Sequence, residues 1–191
     1  MAILVLGGAG YIGSHTVLAL LQAGHKVVAA DNLTTGYRAA LPPQVPFYQL
    51  DVRNRAALDK LFDVEQIEGV IHFAALSLVG ESMQQPLSYY DNNLHGTMVL
   101  LQAMQAHNIH NIVFSSSAEN VPILETDSAN PTNCYGETKL AIEKLLFWTS
   151  QASNLRYVAL RYFNACGAQP GGQIGEAHQP ETHLIPLILQ V

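Results

Sequence analysis

Short unbroken apolar runs alternate along this chain with longer stretches of helical period. The first run, residues 2–6, meets a cluster of glycines, and a helical pattern follows over 11–23 that Gly24 closes as a C-terminal cap would. Further apolar runs at 26–30, 47–50, 69–73, 109–114 and 156–161 predict five more strands. Helices are predicted at 56–62, 87–106 and 138–149, the second with an irregular first turn after Pro86. Strands that are apolar throughout and separated by helices belong to a parallel sheet covered on both faces. The expected fold class is therefore α/β, a doubly wound parallel sheet. No internal repeat or low-complexity linker interrupts it.

Size and composition narrow this further. With 191 residues, 49% hydrophobic and 13% charged, the chain has material for one well-buried domain and too little length for two. A net charge of -6 and the lack of any basic run argue against a nucleic-acid partner. The N-terminus has no basic n-region and enters a glycine motif at once, so it reads as a buried strand, not a signal peptide. No apolar stretch is long enough to cross a bilayer, so no membrane partner and a cytoplasmic location are expected. Cys134 and Cys166 can pair in principle, but reduced thiols fit that compartment better. Residues 184–191 are strongly apolar and simply stop, which makes the chain look cut short. The eight histidines suggest no metal site: His107 and His110 flank a helix end, and His178 and His183 lie in a loop. His72 reads as a satisfied core histidine, and Leu145 to Trp148 as mostly core packing.

The glycines bring chemistry into the pattern. Gly7-Gly8-Ala9-Gly10-Tyr11-Ile12-Gly13 fits G-x-G-x-x-G from Gly8 or G-x-x-G-x-x-G from Gly7. Either way, absent side chains permit a tight turn and let backbone approach a pyrophosphate at a helix N-terminus. Asp31-Asn32 ends the second strand, 18 residues beyond Gly13. A carboxylate there accepts from both ribose hydroxyls and repels a 2′-phosphate, which favours NAD over NADP. Asp51-Val52 follows the third strand, either contacting adenine or, in Asp51, supplying a plain N-cap. Phe73, Ala74 and Ala75 follow the fourth, where small residues let a dinucleotide lie across the carboxyl edge of the sheet.

Tyr135 and Lys139 stand four residues apart, which places a phenol and an ammonium on one helical face. A fixed positive charge beside a phenol favours the phenolate, so the pair can accept a proton near neutrality. Ser115-Ser116-Ser117 ends the fifth strand at the same edge as the glycine loop. A serine there can bond both a sugar hydroxyl and the Tyr135 oxygen.

At these residues the chain resembles the extended short-chain dehydrogenase/reductase family, and within it the epimerases that act on UDP-hexoses. The matching segments are Gly-Gly-Ala-Gly-Tyr-Ile-Gly-Ser-His-Thr (7–16), Val-Ile-His-Phe-Ala-Ala (70–75), Val-Gly-Glu-Ser (79–82), Tyr-Tyr-Asp-Asn-Asn (89–93), Tyr-Gly-Glu-Thr-Lys (135–139), Leu-Arg-Tyr-Phe-Asn (160–164) and Ile-Gly-Glu (174–176). The glycine loop marks only the superfamily; Tyr-Tyr-Asp-Asn-Asn and Arg-Tyr-Phe-Asn are much more specific. The resemblance implies a Rossmann domain at 1–165 and the start of a substrate-binding region at 166–191. It implies that Tyr11, Ile12, Asp31, Asn32, Asp51, Val52 and Phe73 to Ala75 bind NAD, with Asn92, Lys139 and Phe163. Tyr135 would be the base at the sugar 4-hydroxyl as hydride passes to the nicotinamide. Lys139 would hold the phenolate and the nicotinamide ribose, and Ser117 would steady the substrate oxygen. The 4-keto sugar would turn over and regain hydride on its other face, interconverting UDP-galactose and UDP-glucose. Asn164, His183 and Leu184 would contact the UDP-sugar. Relatives dimerise through the helices at 87–106 and 138–149, so a homodimer is expected.

Departures from the family pattern concern the sugar side. After Ala118 the chain runs directly into Glu119-Asn120-Val121-Pro122, roughly half a dozen residues short, about one ordinary loop. Ser77 stands where many relatives carry Lys, Leu6 where Thr is usual, and His183 where Asn is common. The smaller C-terminal domain that closes over the nucleotide is not in the sequence. Two rival functions follow. Glu119, two residues beyond Ser117, matches the acidic residue of nucleotide-sugar dehydratases and decarboxylases on the same scaffold. The missing domain instead suits a non-catalytic NAD-binding module.

Overall fold

The apolar runs become the strands of one parallel sheet in the computed structural model, which describes residues 1–117, 130–178, 181 and 184–189. Its strands are β1 (Ala2–Leu6), β2 (Val27–Asp31), β3 (Phe47–Gln49), β4 (Ile67–His72), β5 (Asn111–Ser117) and β6 (Arg156–Tyr162), in the order β3-β2-β1-β4-β5-β6. All pairs are parallel, and the order reverses between β1 and β4. That reversal opens a crevice at the carboxyl edge, where ligands of such sheets bind.

Alternation along the strands divides the core in two. Leu4 and Leu6 join Val28, Ala30, Val70, Ile112 and Phe114 on one face. There α2 (Arg55–Val64), α5 (Gly96–Ala106) and α6 (Cys134–Ala152) cover them with Leu58, Leu61, Leu100, Met104, Ile142 and Leu146. Val5, Val27 and Ala29 face the other way and meet Val17 of α1 (Tyr11–Gln22), Leu41 and Val45. Each fully buried leucine contributes about 2 kcal/mol of transfer free energy. Gly24 ends α1 at φ +83°, with its N–H on Leu21 O and the His25 N–H on Leu20 O, both at 3.0 Å. This is the Schellman arrangement, and the positive φ is why glycine closes this helix.

Several elements differ from the pattern reading. A helix, α3 (Val79–Gln84), lies where none was expected. The long helix at 87–106 is instead α4 (Pro86–Tyr89), a π-helical turn at Tyr90–His95 and then α5. The N-cap of α2 is Asn54, whose Oδ1 accepts from the Ala57 N–H at 3.1 Å, so Asp51 is not that cap. Leu146 is core, but Phe147 is 44% exposed and Trp148 68%, so the run Leu145 to Trp148 is only half packed. His72 is half satisfied. Its Nε2 meets Thr97 Oγ1 at 3.1 Å, while Nδ1 is buried with no partner among the described residues. Both cysteines are free thiols. Among the described residues, no helix is long and apolar enough to cross a membrane.

Candidate active site

The switch in strand order puts the glycine loop, the end of β5 and the start of α6 around one cleft of about 430 Å³. Gly7, Gly10, Tyr11, Ile12 and Gly13 are among its lining, as are Phe73 and Ala75, Ser115 to Ser117, Tyr135, Lys139, Phe163 and Asn164. Gly7 takes φ +76°, and a Cβ there would lie 2.6 Å from Ala74 N. A Cβ on Gly13 would lie 2.0 Å from Gly7 O, so the loop packs directly on the first turn of α1. The N-cap, Gly10, makes no side-chain cap bond, so the first-turn amides keep their donors for a ligand. A cradle built from backbone at a helix N-terminus fits the diphosphate of a dinucleotide.

Asp31 is buried at the end of β2. Its Oδ2 accepts from the Ala9 N–H at 3.0 Å and its Oδ1 from the Leu33 N–H at 2.8 Å. The carboxylate therefore ties β2 to the glycine loop, and each oxygen keeps a lone pair for a ribose hydroxyl. Asn32 accepts from the Thr34 N–H at 3.0 Å. Asp51 is held by Arg53, whose Nη2 reaches Oδ2 at 2.6 Å and whose Nε reaches Oδ1 at 2.9 Å. These bonds hold the Asp51 carboxyl below its ordinary range. Val52 is buried beneath Gly96. Asn92 donates to Asn93 Oδ1 at 3.0 Å. Asp31, Asn32, Asp51, Val52, Ala74 and Asn92 lie outside the lining of the cleft.

Tyr135 sits within α6, in its first turn, not ahead of it. Asn133 caps that helix by accepting from the Gly136 N–H at 2.9 Å. Lys139 is buried, with Nζ 5.5 Å from the Tyr135 ring centroid and 4.9 Å from that of Phe114. Nζ donates to Ser115 O at 2.9 Å. Desolvation pulls its pKa down to about 7, so its charge is not the fixed one that sequence reasoning assumed. Beside it, burial and then the Lys139 charge depress His72 to about 3, which keeps that imidazole neutral. Thr97 Oγ1 donates to Asn93 O at 2.7 Å, so it can only accept from His72, which places the ring proton on Nε2.

Two buried residues that the pattern did not single out hold this constellation. Asn93, in the π-helical turn, accepts from Leu76 N–H at 2.8 Å and donates to Leu76 O at 3.0 Å and Thr138 Oγ1 at 3.1 Å. Ser82 Oγ accepts from the Tyr135 N–H at 3.1 Å and donates to Val79 O at 2.7 Å. Both lie in matching segments, but only the fold shows that they join β4, α3 and α6. Leu184, the first residue of α7 (Leu184–Leu189), is 73% exposed and outside the cleft lining. His183 and Glu119 lie outside the described residues, as does the loop after Ser117.

Comparison with known proteins extends these observations. The model of the NAD dependent epimerase/dehydratase family matches residues 3–191. The UDP-glucose 4-epimerase of Lacticaseibacillus casei is 56% identical over all of this chain and 60% of its own length. A crystal structure of a UDP-glucose 4-epimerase superposes with a TM-score of 0.97 at 54% identity, covering 100% of this chain and 60% of that one. The Brucella ovis UDP-glucose 4-epimerase, solved in complex with NAD, gives a TM-score of 0.93 at 45% identity, covering 97% and 59%. The chain thus spans about 60% of the length of these relatives. It belongs to the NAD dependent epimerase/dehydratase family.

Proposed function

We propose that this chain carries the NAD-holding and proton-transferring part of a UDP-hexose 4-epimerase. The observation that carries the reading is that Tyr135, Lys139 and the Ser115–Ser117 strand end share one cleft with the glycine loop. Residues 1–165 would form the dinucleotide domain and 166–191 the start of the substrate region. Gly7, Gly10 to Gly13 and the first turn of α1 would take the diphosphate, Asp31 the adenosine ribose, and Asp51 and Val52 the adenine, with Asn92 a further NAD contact. Bound NAD supplies a hydride acceptor. Tyr135, as the phenolate, takes the proton from the sugar 4-hydroxyl and so becomes the phenol, which returns that proton at the end of the cycle. Lys139 holds a proton beside that phenol, poised near neutrality, and Ser117 accepts or donates at the substrate oxygen. Asn164 faces the same cleft and fits a contact to the nucleotide sugar. The exposed Phe147 and Trp148 on α6, with Leu87 on α4, suit a homodimer face, which sedimentation showing only monomer at micromolar concentration would remove.

The test is product analysis after incubating the protein with UDP-galactose, UDP-glucose or UDP-glucuronate, with its nucleotide released and assayed separately. Interconversion of the two hexoses, lost by at least about 10²-fold in Tyr135→Phe with NAD retained, supports the epimerase. Retained NAD with none of the three substrates converted favours the second reading, an NAD-holding module.

A further inference from the structure

Asn93 and Ser82 hold the start of α6, at Thr138 Oγ1 and the Tyr135 N–H, and the stripe of the helix that carries Tyr135 and Lys139 has attachments of its own further along. Residues 135, 139 and 143 fall at i, i+4 and i+8, along one stripe of α6, with about 6 Å between successive positions. The second of these bonds the end of β5, through Lys139 Nζ to Ser115 O at 2.9 Å. One turn on, Glu143 makes another attachment: its Oε1 accepts from Ser116 Oγ at 2.5 Å. The same carboxylate takes Arg161 of β6 in a two-point contact, Nε to Oε1 at 2.8 Å and Nη2 to Oε2 at 2.5 Å. Ser116 and Arg161 are register partners across β5 and β6. Glu143, with its side chain only 15% exposed, therefore joins α6, β5 and β6 at one point.

Burial alone would push the Glu143 carboxyl up, but the bonds from Arg161 and Ser116 outweigh it and hold the pKa below its ordinary value. The group is a carboxylate at neutral pH, and its charge is spent on Arg161. With the start of α6 already bonded to Asn93 and Ser82, the Glu143 attachment two turns beyond Tyr135 restricts the roll that remains along the helix. A roll of about 10° moves the tip of a tyrosine by about 1 Å, and a misplacement of that size can cost about 10²-fold in rate. The two rungs leave Tyr135, on the same stripe, directed at the cleft it shares with Ser117.

We propose that Glu143 is a positioning residue for the Tyr135–Lys139 pair, its Arg161-paired carboxylate fixing the roll of α6 on the serine-bearing end of β5. The kinetic half of this rests on the epimerase reading above; the geometric half does not. The groups around Lys139, which are Tyr135 on its own helix, His72 on β4 and Tyr162 bonded to Ser115 from β6, are unchanged by substitution at 143.

The experiment compares wild type, Glu143→Gln, Ser116→Ala and Arg161→Lys by two readouts on protein of matched melting temperature. One is kcat and KM for UDP-galactose. The other is the titration midpoint of Lys139, followed by NMR of ¹³C-labelled lysine, which needs no turnover. Glu143→Gln is expected to lower kcat by about 10- to 100-fold with KM within about twofold. It is also expected to move the Lys139 midpoint upward by at least about half a unit as Nζ gains water. Arg161→Lys, which keeps a cation, retains most of both. If wild type turns over no hexose, the epimerase reading fails while the lysine titration still judges Glu143. If Glu143→Gln does not fold, Ser116→Ala removes one rung and is judged by the same readouts. An unmoved Lys139 midpoint in a folded rung variant, with kcat unmoved wherever it can be measured, overturns the proposal.

Discussion

Replacing Lys139 by Met tests the most unusual electrostatic feature of the site. The ammonium is 3% exposed, and its pKa falls from an ordinary 10.5 to about 7 through desolvation. Because the folded-state value is depressed, the folded protein binds this proton less readily than the unfolded chain does. The full stability contribution of the group is present above pH 10.5 and is lost as pH falls through 7. Below pH 7 the folded state bears the whole cost of a buried ammonium, on the order of 5 kcal/mol for a shift of this size. Between pH 6 and pH 9 wild type should recover about 3 kcal/mol of that cost, and Lys139→Met, with nothing to titrate, should recover none of it. The stability advantage of Lys139→Met over wild type should therefore shrink by about 3 kcal/mol across that range. The bond lost to Ser115 O shifts the difference by a constant, of about 1 kcal/mol, and leaves its slope alone. Urea denaturation of both nucleotide-free proteins at four pH values gives the difference directly. A difference that stays flat from pH 6 to 9 would refute the desolvation argument, and with it the idea that Lys139 holds its proton only loosely beside Tyr135.

Three other outcomes are expected. His72 is depressed to about 3, so its contribution is complete above pH 6.5 and is lost as the medium turns acid. At pH 5, His72→Asn should lack about 2 kcal/mol of the acid destabilisation seen in wild type by denaturant titration. Gly13→Ala would set a methyl 2.0 Å from Gly7 O and should abolish nucleotide retention, measured as NAD released on denaturation. Asn93→Ala removes bonds to Leu76 and Thr138 and leaves the half-buried backbone of Leu76 without those partners, which should cost about 2 kcal/mol in a urea melt.

The sheet and its cofactor edge were readable because each signal was local. An apolar run, a glycine that must approach a neighbour's backbone, and an acid at a strand end each declare themselves within a few residues. The pairing of Tyr135 with Lys139 was equally local, being a matter of helical spacing. The behaviour of Lys139 was not, since desolvation depends on Phe114, His72 and Ser115, which come from other strands. The α3 helix is not legible in the pattern because it is six residues long, contains Gly80 and shows no apolar period. Asp51 as a helix cap was a sound propensity argument that Asn54, three residues later, wins by geometry. An aromatic pair such as Phe147 and Trp148 looks like core wherever it stands, and only packing shows which side of α6 it occupies.

The π-helical turn at Tyr90–His95 has a further consequence, for how the gene can change length. Such a turn holds one residue more than an α-helix would, and one residue is worth about 100° of rotation. A single deletion between 90 and 95 would let the backbone close as uninterrupted helix, with nothing lost from a circular dichroism spectrum. Yet Tyr89 before the turn and Leu100 and Met104 after it are all buried now, and one side or the other would have to swing out of phase. At this stretch the number of residues is therefore constrained as well as the identity of Asn93. A compensating insertion nearby, more than any point substitution, is what would let a shortened version survive.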